Sequence, residues 1–194
     1  MIEKTLVILK PDSVQRALVG EIIQRFEKCG LKIVALKMTY ADKTLAAKHY
    51  TDDEEWLKSV GKKSVDSYKA KGIDMGMTEL EVGTRIRNQL IDYISMSPTV
   101  AIVLEGNNAV AHVRKIVGPT SPEHAAPGTI RGDYSFDTYQ LGDESNRPIQ
   151  NLIHASESPK IGEQEIKLWF KPEELHVWQR IDEPLLYRKE NKGD

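Results

Sequence analysis

The sequence has little that would point to secretion, a membrane or a nucleic-acid surface. Cys29 is the only cysteine among 194 residues, so the chain forms no internal disulfide, and we expect this thiol to be a small core side chain. The 27 basic and 29 acidic residues leave a net charge of -2, too small to draw the protein onto nucleic acid or an anionic membrane. The apolar run at residues 5–9 is too short for a signal segment or a membrane span. We therefore predict a soluble, cytoplasmic protein.

Four segments have the composition of strands. Two nearly continuous apolar runs, at residues 5–9 and 99–104, predict buried strands, and neither contains an aromatic residue. Residues 31–40 predict a half-buried strand, and residues 152–153 a short last one. In the half-buried strand, the side chains that we expect in the core are Ile33, Val34 and Leu36.

Helical spacing of apolar residues fills the intervals between these strands. It predicts a helix at residues 19–29 that stops at Gly30, a short helix at 43–50, one at 85–94, and one at 108–117 capped by Asn108. The order strand, helix, strand, strand, helix, strand is that of the ferredoxin-like α+β fold. In this fold an antiparallel four-stranded sheet carries helices on one face. The length favours a single domain over residues 1–194.

The stretch from residue 51 to residue 83 has a different character. It is rich in lysine and aspartate and lacks a sustained apolar stripe. We therefore expect surface material with some local helix in this region.

The histidine at position 154 lies between a strand end and a helix start. Ser158 followed by Pro159 is a typical helix start, which predicts a helix over residues 159–170. Free N–H groups and the helix dipole at such a start favour an anion. A neutral imidazole beside a phosphate can be a nucleophile that forms a covalent intermediate. Taken alone, however, a histidine at a strand end is more often structural.

A nucleophilic imidazole needs a partner that fixes its tautomer, and the following helix offers two carboxylates. Glu163 stands four residues before Lys167, where an ordinary surface ion pair is available. Glu165 shares a helix side with Ile161 and Trp169 and is the carboxylate expected to point toward His154.

Several residue types suited to phosphate surround this histidine in the predicted fold. The loop at 118–133 is dense in glycine and proline and carries Thr120 and Arg131, while Arg114 lies on the preceding helix and Lys10 at the end of the first strand. Each has a plainer interpretation, as a solvated loop or strand terminus. Tyr50 likewise fits either a site or a half-buried aromatic whose hydroxyl stays wet. Their combination favours a phosphate site.

Six sequence motifs in order carry a resemblance to a known family. They are TLVILKPD at residues 5–12, VQR at 14–16, LVGEI at 18–22, HY at 49–50, PGTIRGD at 127–133 and NLIHAS at 151–156. The chain closely resembles nucleoside diphosphate kinases over residues 4–50 and 84–175. Further agreement comes from IKLWF at 166–170 and PEEL at 172–175.

The resemblance implies a ping-pong reaction that maintains nucleoside triphosphate pools. A triphosphate, typically ATP, would phosphorylate His154 and leave as a diphosphate, and a second diphosphate would collect the phosphate. By the same match, Glu165 would orient the imidazole and Ser156 would support it. The resemblance also implies Mg²⁺ bound with the nucleotide, a homo-oligomer (tetramer or hexamer) and broad base specificity through stacking.

The other site residues follow from the same match. Lys10 and Asn151 would reach the sugar hydroxyl and the transferring phosphate, and Tyr50 would line the site beside the histidine. The residues that would hold the phosphates are Arg114, Thr120 and Arg131.

Three features depart from the family pattern. Extra residues occupy about 57–83, in the region that supplies the aromatic clamp on the base, and a shorter insertion occupies about 135–148. Trp56 would be either this clamp or a residue that pins the inserted segment to the body. Ala155 stands where the family usually has glycine, a change that we expect to be tolerated.

Two other functions fit parts of this pattern. RNA-recognition modules share the order of elements, but they need exposed aromatics on the two central strands and usually a basic face. A relative that has lost its activity, or whose insertion occludes the site, would keep the same fold. The filled site positions favour the active enzyme.

Overall fold

The computed structural model describes residues 2–70 and 72–187, and its centre is an antiparallel sheet in the order β2-β3-β1-β4. The strands are β1 (Ile2–Leu9), β2 (Lys32–Thr39), β3 (Thr99–Asn107) and β4 (Ile153–Ala155). The two central strands are the apolar runs of the sequence, because only they are covered on both sides and edges. This arrangement confirms the predicted ferredoxin-like α+β class.

Ten helices are described in this part of the chain, with single turns of 3₁₀ helix at Pro122–His124 and Pro172–Glu174. They are α1 (Pro11–Gln15), α2 (Val19–Lys28), α3 (Lys43–His49), α4 (Glu54–Ala70), α5 (Glu79–Ser95), α6 (Ala109–Val117), α7 (Ile130–Tyr134), α8 (Tyr139–Glu144), α9 (Pro159–Trp169) and α10 (Glu183–Leu186). None of the helices in residues 2–70 and 72–187 has the length and apolar composition needed to cross a bilayer.

Helices cover both faces of the sheet rather than the one face that was predicted. Side chains alternate along β1, so Leu6 and Ile8 enter one core with α3, α5 and α9, while Val7 and Leu9 enter a second core with α2 and α6. The prediction of one covered face was wrong because the spacing within each helix does not reveal that α3, α5 and α9 pack together on the face opposite α2 and α6. The two cores hold β1 rigidly, with Lys10 at its end.

Strand β2 contains an irregularity that the sequence pattern does not reveal. The pairing with β3 shifts between Ile33 and Ala35, so Val34 and Ala35 both enter the core. Leu36, predicted to be buried, is instead 48% exposed. The extra residue in the strand reverses the alternation of buried and exposed side chains beyond it, so Leu36 faces outward.

The predicted helix ends are largely correct, although two local predictions were wrong. At the start of α9, the Ser158 hydroxyl accepts a hydrogen bond from the Ile161 N–H, as expected. At the start of α6, the Glu3 carboxylate accepts the hydrogen bond from the Val110 N–H. Asn108 makes no side-chain cap there and only supplies a left-handed turn with a φ of 48°. Cys29 is exposed rather than in the core, because it follows the last turn of α2.

The segment at residues 51–83 is more regular than predicted. It contains the 17-residue helix α4, which packs antiparallel to α5 through buried Leu57 and Val65. Two glycines allow the close approach. A Cβ at Gly61 would lie 1.8 Å from the Glu79 carbonyl oxygen, and one at Gly83 would lie 2.0 Å from that of Leu57. The buried stripe includes a glycine, so it did not appear as an apolar pattern.

Candidate active site

A cleft of about 980 Å³ lies between α3, α4, α6, α8, α9 and the end of β4. Every predicted site residue except Ser156 lines it, and Ser156 lies fully buried directly behind Glu165. Residues that are far apart in sequence therefore meet in one place. The predicted residues that line the cleft are Lys10, Tyr50, Trp56, Arg114, Thr120, Arg131, Asn151, His154 and Glu165.

His154 belongs to a hydrogen-bonded relay of three side chains. Its Nε2 lies 2.9 Å from Glu165 Oε1, and the Ser156 hydroxyl donates to Glu165 Oε2 at 2.6 Å. Strand β4 supplies the histidine and α9 supplies the glutamate, on the inward side that the sequence predicted. Since a carboxylate only accepts, the imidazole carries its proton on Nε2, which leaves Nδ1 with a free lone pair.

His49 lies behind this relay. It belongs to one of the six sequence motifs but was not predicted to be a residue of the site. Its ring meets the His154 ring edge to face, with centroids 4.4 Å apart. Its side chain is 1% exposed, and its Nδ1 accepts from the Trp169 indole N–H at 3.4 Å. Burial, with the neighbouring His154 ring and the positive charge of Lys10, holds the pKa of His49 well below its ordinary value. His49 is therefore a neutral packing partner for His154.

Lys10 is a buried cation held at the end of β1. Its Nζ donates to Asn151 Oδ1 at 2.8 Å and lies 5.3 Å from the centroid of the Tyr93 ring. Asn151 in turn donates to the Thr120 carbonyl at 2.8 Å. Burial and the positive charge of Arg131 lower the pKa of Lys10 to about 8, against the opposing effect of Asp12. The plainer interpretation, a solvated strand terminus, was wrong.

Arg131 is also buried, and it joins the loops of the site to one another. Its guanidinium donates to the carbonyl oxygens of Asn151, Gly118 and Ile153 at 3.1, 2.9 and 2.6 Å. Burial lowers its pKa to about 10, so it remains charged at neutral pH. Arg114 lines the cleft from α6, close enough for its charge to act on Arg131, and it is exposed. The two guanidiniums bring positive charge to the same side of the cleft.

The aromatic residues of the cleft differ in burial. Tyr50 is only 8% exposed, and its buried hydroxyl makes no hydrogen bond to any residue that the structure describes, so the alternative of a half-buried aromatic with a wet hydroxyl was wrong. Burial, with the charges of Glu165 and Asp12, raises its pKa. Trp56, near the start of α4, packs against the core while lining the cleft. It therefore joins α4 to the body of the protein and also faces the cleft.

Comparison with known proteins agrees with this geometry. The sequence model of the family described as "Nucleoside diphosphate kinase" matches residues 3–66 and 79–175. The chain belongs to the nucleoside diphosphate kinase family. A nucleoside diphosphate kinase of Pyrobaculum aerophilum is 53% identical over 179 residues, which are 90% of this chain and 98% of that relative.

Solved structures of nucleoside diphosphate kinases share the fold over almost the whole chain. A crystal structure of an NDP kinase from Pyrobaculum aerophilum has a TM-score of 0.88 at 51% identity and covers 91% of this chain and 100% of that one. A transition-state mimic of the nucleoside-diphosphate kinase from Borrelia burgdorferi, with bound vanadate and ADP, has a TM-score of 0.76 at 38% identity. It covers 95% of this chain and 96% of that one.

The family, the fold and the enzyme class predicted from the sequence are thereby confirmed. As a member of the nucleoside diphosphate kinase family, the chain is a nucleotide-binding phosphotransferase that moves a terminal phosphate from a nucleoside triphosphate to a nucleoside diphosphate. The RNA-recognition alternative is wrong, because a family model of kinases spans both halves of the chain.

Proposed function

We propose that His154 is the nucleophile of this phosphotransferase and carries the phosphoryl group between a triphosphate, typically ATP, and a diphosphate. The observation that carries the proposal is the relay of His154, Glu165 and Ser156, with contacts of 2.9 and 2.6 Å. It fixes the ring plane and the tautomer of a histidine that faces a cleft with several cations.

The mechanism follows from the tautomer. Nδ1 attacks the γ-phosphorus in line, a nitrogen–phosphorus bond forms, and the bond from phosphorus to the β,γ-bridging oxygen breaks, so the nucleoside diphosphate leaves with that electron pair. Glu165 accepts a hydrogen bond from the Nε2–H throughout, and its negative charge stabilises the positive charge that develops on the ring. A second diphosphate attacks the phosphohistidine and reverses these steps.

The phosphates would be held by the cations and amides at this end of the cleft. Lys10 and Asn151, already joined to each other, would contact the transferring phosphate and the sugar hydroxyl. Arg114 and Thr120 are exposed to the cleft and would bind the remaining phosphates. Arg131 uses three of the five N–H donors of a guanidinium on carbonyl oxygens, which leaves two for the nucleotide.

Mg²⁺ fits this site as an ion bound through the nucleotide. Glu165 is already engaged by His154 and Ser156, and the residues that would contact the phosphates are cations, an amide and a hydroxyl. The ion would therefore be held mainly by phosphate oxygens and water, as Mg²⁺ usually is at such sites. It would neutralise charge on the departing diphosphate.

The remaining predictions also stay proposals. Tyr50 would line the site beside His154, and Trp56 would stack on the base. We propose one kinase domain over residues 1–194, with insertions at about 57–83 and 135–148. We further propose a cytoplasmic homo-oligomer, either a tetramer or a hexamer.

The test is incubation of the purified protein with γ-labelled ATP and Mg²⁺, followed by GDP. Wild-type protein should acquire acid-labile label that GDP removes as labelled GTP. His154→Asn should acquire none, whereas His112→Asn, a change on the exposed side of α6, should behave as wild type. Label that persists in His154→Asn would assign the nucleophile elsewhere. Folded wild-type protein that takes no label and forms no GTP would contradict the activity itself.

A further inference from the structure

Helix α4 presents two different faces. Leu57, Gly61 and Val65 are buried, and the glycine contacts place this face against α5. The other face lines the cleft at helical spacing. Its cleft-lining residues are Trp56, Ser59, Val60, Lys63, Ser64 and Tyr68. A helix fixed by backbone contact on one side therefore holds a mostly polar stripe in the enzyme's own cleft.

Helix α8 adjoins α4 and lines the same cleft. Tyr139 and Asp143 line it, and the Tyr68 hydroxyl hydrogen-bonds to the Asp143 carboxylate. Burial and this bond raise the pKa of Tyr68 to about 12, so its proton is retained. The segment that carries α8 is itself held by Arg147, which contacts both oxygens of Asp137 at 2.6 and 3.0 Å. We define these two helices as the base-end walls.

The assignment of these walls to the base of the nucleotide rests on the proposed function. A nucleotide whose terminal phosphate meets His154 has its other phosphates near Arg114 and Thr120, and its base extends into the remaining volume. The base-end walls line part of that volume. The side chains of α4 are therefore placed to contact the base rather than the reacting phosphate.

Lys63 differs from the other lysines in the middle of α4. Lys58 pairs with Glu54 at 2.5 Å, and Lys62 pairs with Asp66 at 3.0 Å, both along the helix. Lys63 lines the cleft and has no ion pair or hydrogen bond to the residues that the structure describes. Its ammonium therefore offers three donors and no acceptor to whatever occupies the base end.

We propose that Lys63 is a specificity-determining residue that favours nucleotides whose base carries a carbonyl oxygen at purine position 6 or pyrimidine position 4. Guanine presents O6 and N7 as acceptors on one edge, and uracil and thymine present O4. Adenine and cytosine present an amino group at the same position, which a lysine ammonium repels. The neighbouring hydroxyls of Ser59 and Ser64 both donate and accept, so they add contact without discrimination.

The experiment uses the full-length protein, which is first phosphorylated with γ-labelled ATP. The labelled phosphoenzyme is then mixed with a single nucleoside diphosphate. The rate constant for loss of label per unit concentration is compared for IDP and ADP, whose bases differ at position 6 in having a carbonyl or an amino group. UDP and CDP provide the same comparison for pyrimidines. We expect wild type to prefer the carbonyl base by about 3- to 10-fold, the effect of one charge-assisted hydrogen bond at a partly exposed site.

Lys63→Met should reduce both ratios to near one, and the matched variant Lys62→Met should keep the wild-type ratios. A wild-type ratio near one would overturn the proposal. It would also be overturned if Lys63→Met slowed all diphosphates equally, because that result would assign the lysine to the phosphates. Failure of the proposed function looks different, since wild type would then form no phosphoenzyme or pass no phosphate to any diphosphate.

Discussion

The two ends of the cleft are built in different ways. At the phosphate end, Lys10 and Arg131 are only 6% and 8% exposed, and each is hydrogen-bonded within the chain. At the base end, Lys63 and its neighbouring hydroxyls lie on the surface of one helix and have no fixed partner within the described part of the chain. The two buried cations that we propose for the transferring group are thus preorganised, while the side chains that we propose for the base are free to adapt.

This difference suggests that chemistry and base selection are separable in this enzyme. Preorganised donors stabilise the transition state because they need no rearrangement as charge moves. Adaptable donors discriminate weakly, which would suit the broad base specificity that we expect of this enzyme. Substitutions at the phosphate end should therefore reduce the rate with every nucleotide, and those at the base end should change ratios between nucleotides.

The largest effect should come from Glu165→Gln. The amide keeps the shape but no longer stabilises a positive imidazole or fixes the Nε2 proton, so we expect kcat to fall by roughly 10²- to 10³-fold. Pre-steady-state phosphorylation by ATP measures this step directly. Glu163→Gln, two residues earlier on an exposed side of α9, should be near wild type. Equal losses in the two variants would mean that the helix, rather than the relay, is responsible.

The second effect concerns Lys10 and is visible in a pH profile. Its pKa of about 8 means that the ammonium is lost as the pH rises through that value, so kcat/KM for the triphosphate should fall above about pH 8. Lys10→Met should lose about 10²-fold in kcat/KM and this alkaline limb with it. Lys28→Met, on the exposed side of α2, should retain the limb. A limb that survives in Lys10→Met would belong to another group.

Much of the sheet and of the phosphate end was predictable because it depends on local signals. The two apolar strands, the start of α9 at Ser158 and the inward side of Glu165 follow from spacing within a few residues. Features that depend on distant packing were not predictable. His49 and Tyr50 are buried because α9 brings Trp169 to them across 120 residues of sequence. The carbonyl contacts of Arg131 likewise depend on how three loops meet.

Helix α4 shows why pattern alone failed at the base end. Its buried stripe alternates a leucine, a glycine and a valine, and the glycine both lowers helix propensity and removes the apolar signal. The same glycine permits the contact that holds the helix. A packed helix therefore does not need a continuous apolar stripe, because close backbone contact at a glycine can hold it in place.

Gly61 gives the third prediction, which tests whether the base end depends on this helix pair. Gly61→Ala would place a Cβ 1.8 Å from the Glu79 carbonyl oxygen, so α4 must shift. We expect the free energy of unfolding to fall by about 1–3 kcal/mol, as for other overpacked sites, and KM to rise more than kcat falls. Gly20→Ala, with nothing within 4 Å of its new Cβ, should not destabilise the protein. Denaturant titration and steady-state kinetics measure the two effects.

The smallest effect should come from the bond that joins the base-end walls. Tyr68→Phe removes the hydroxyl that contacts Asp143 while keeping the aromatic ring in the cleft. A net hydrogen bond contributes about 1 kcal/mol, so we expect KM for the nucleotide to rise by roughly threefold to fivefold. The rate of phosphoenzyme formation at saturating ATP should be unchanged, because the phosphate end does not move. Tyr40→Phe, at a position 67% exposed outside the cleft, provides the matched control. If Tyr68→Phe lowered the saturated rate with KM unchanged, the two ends of the cleft would be coupled, and the separation between chemistry and base selection would fail.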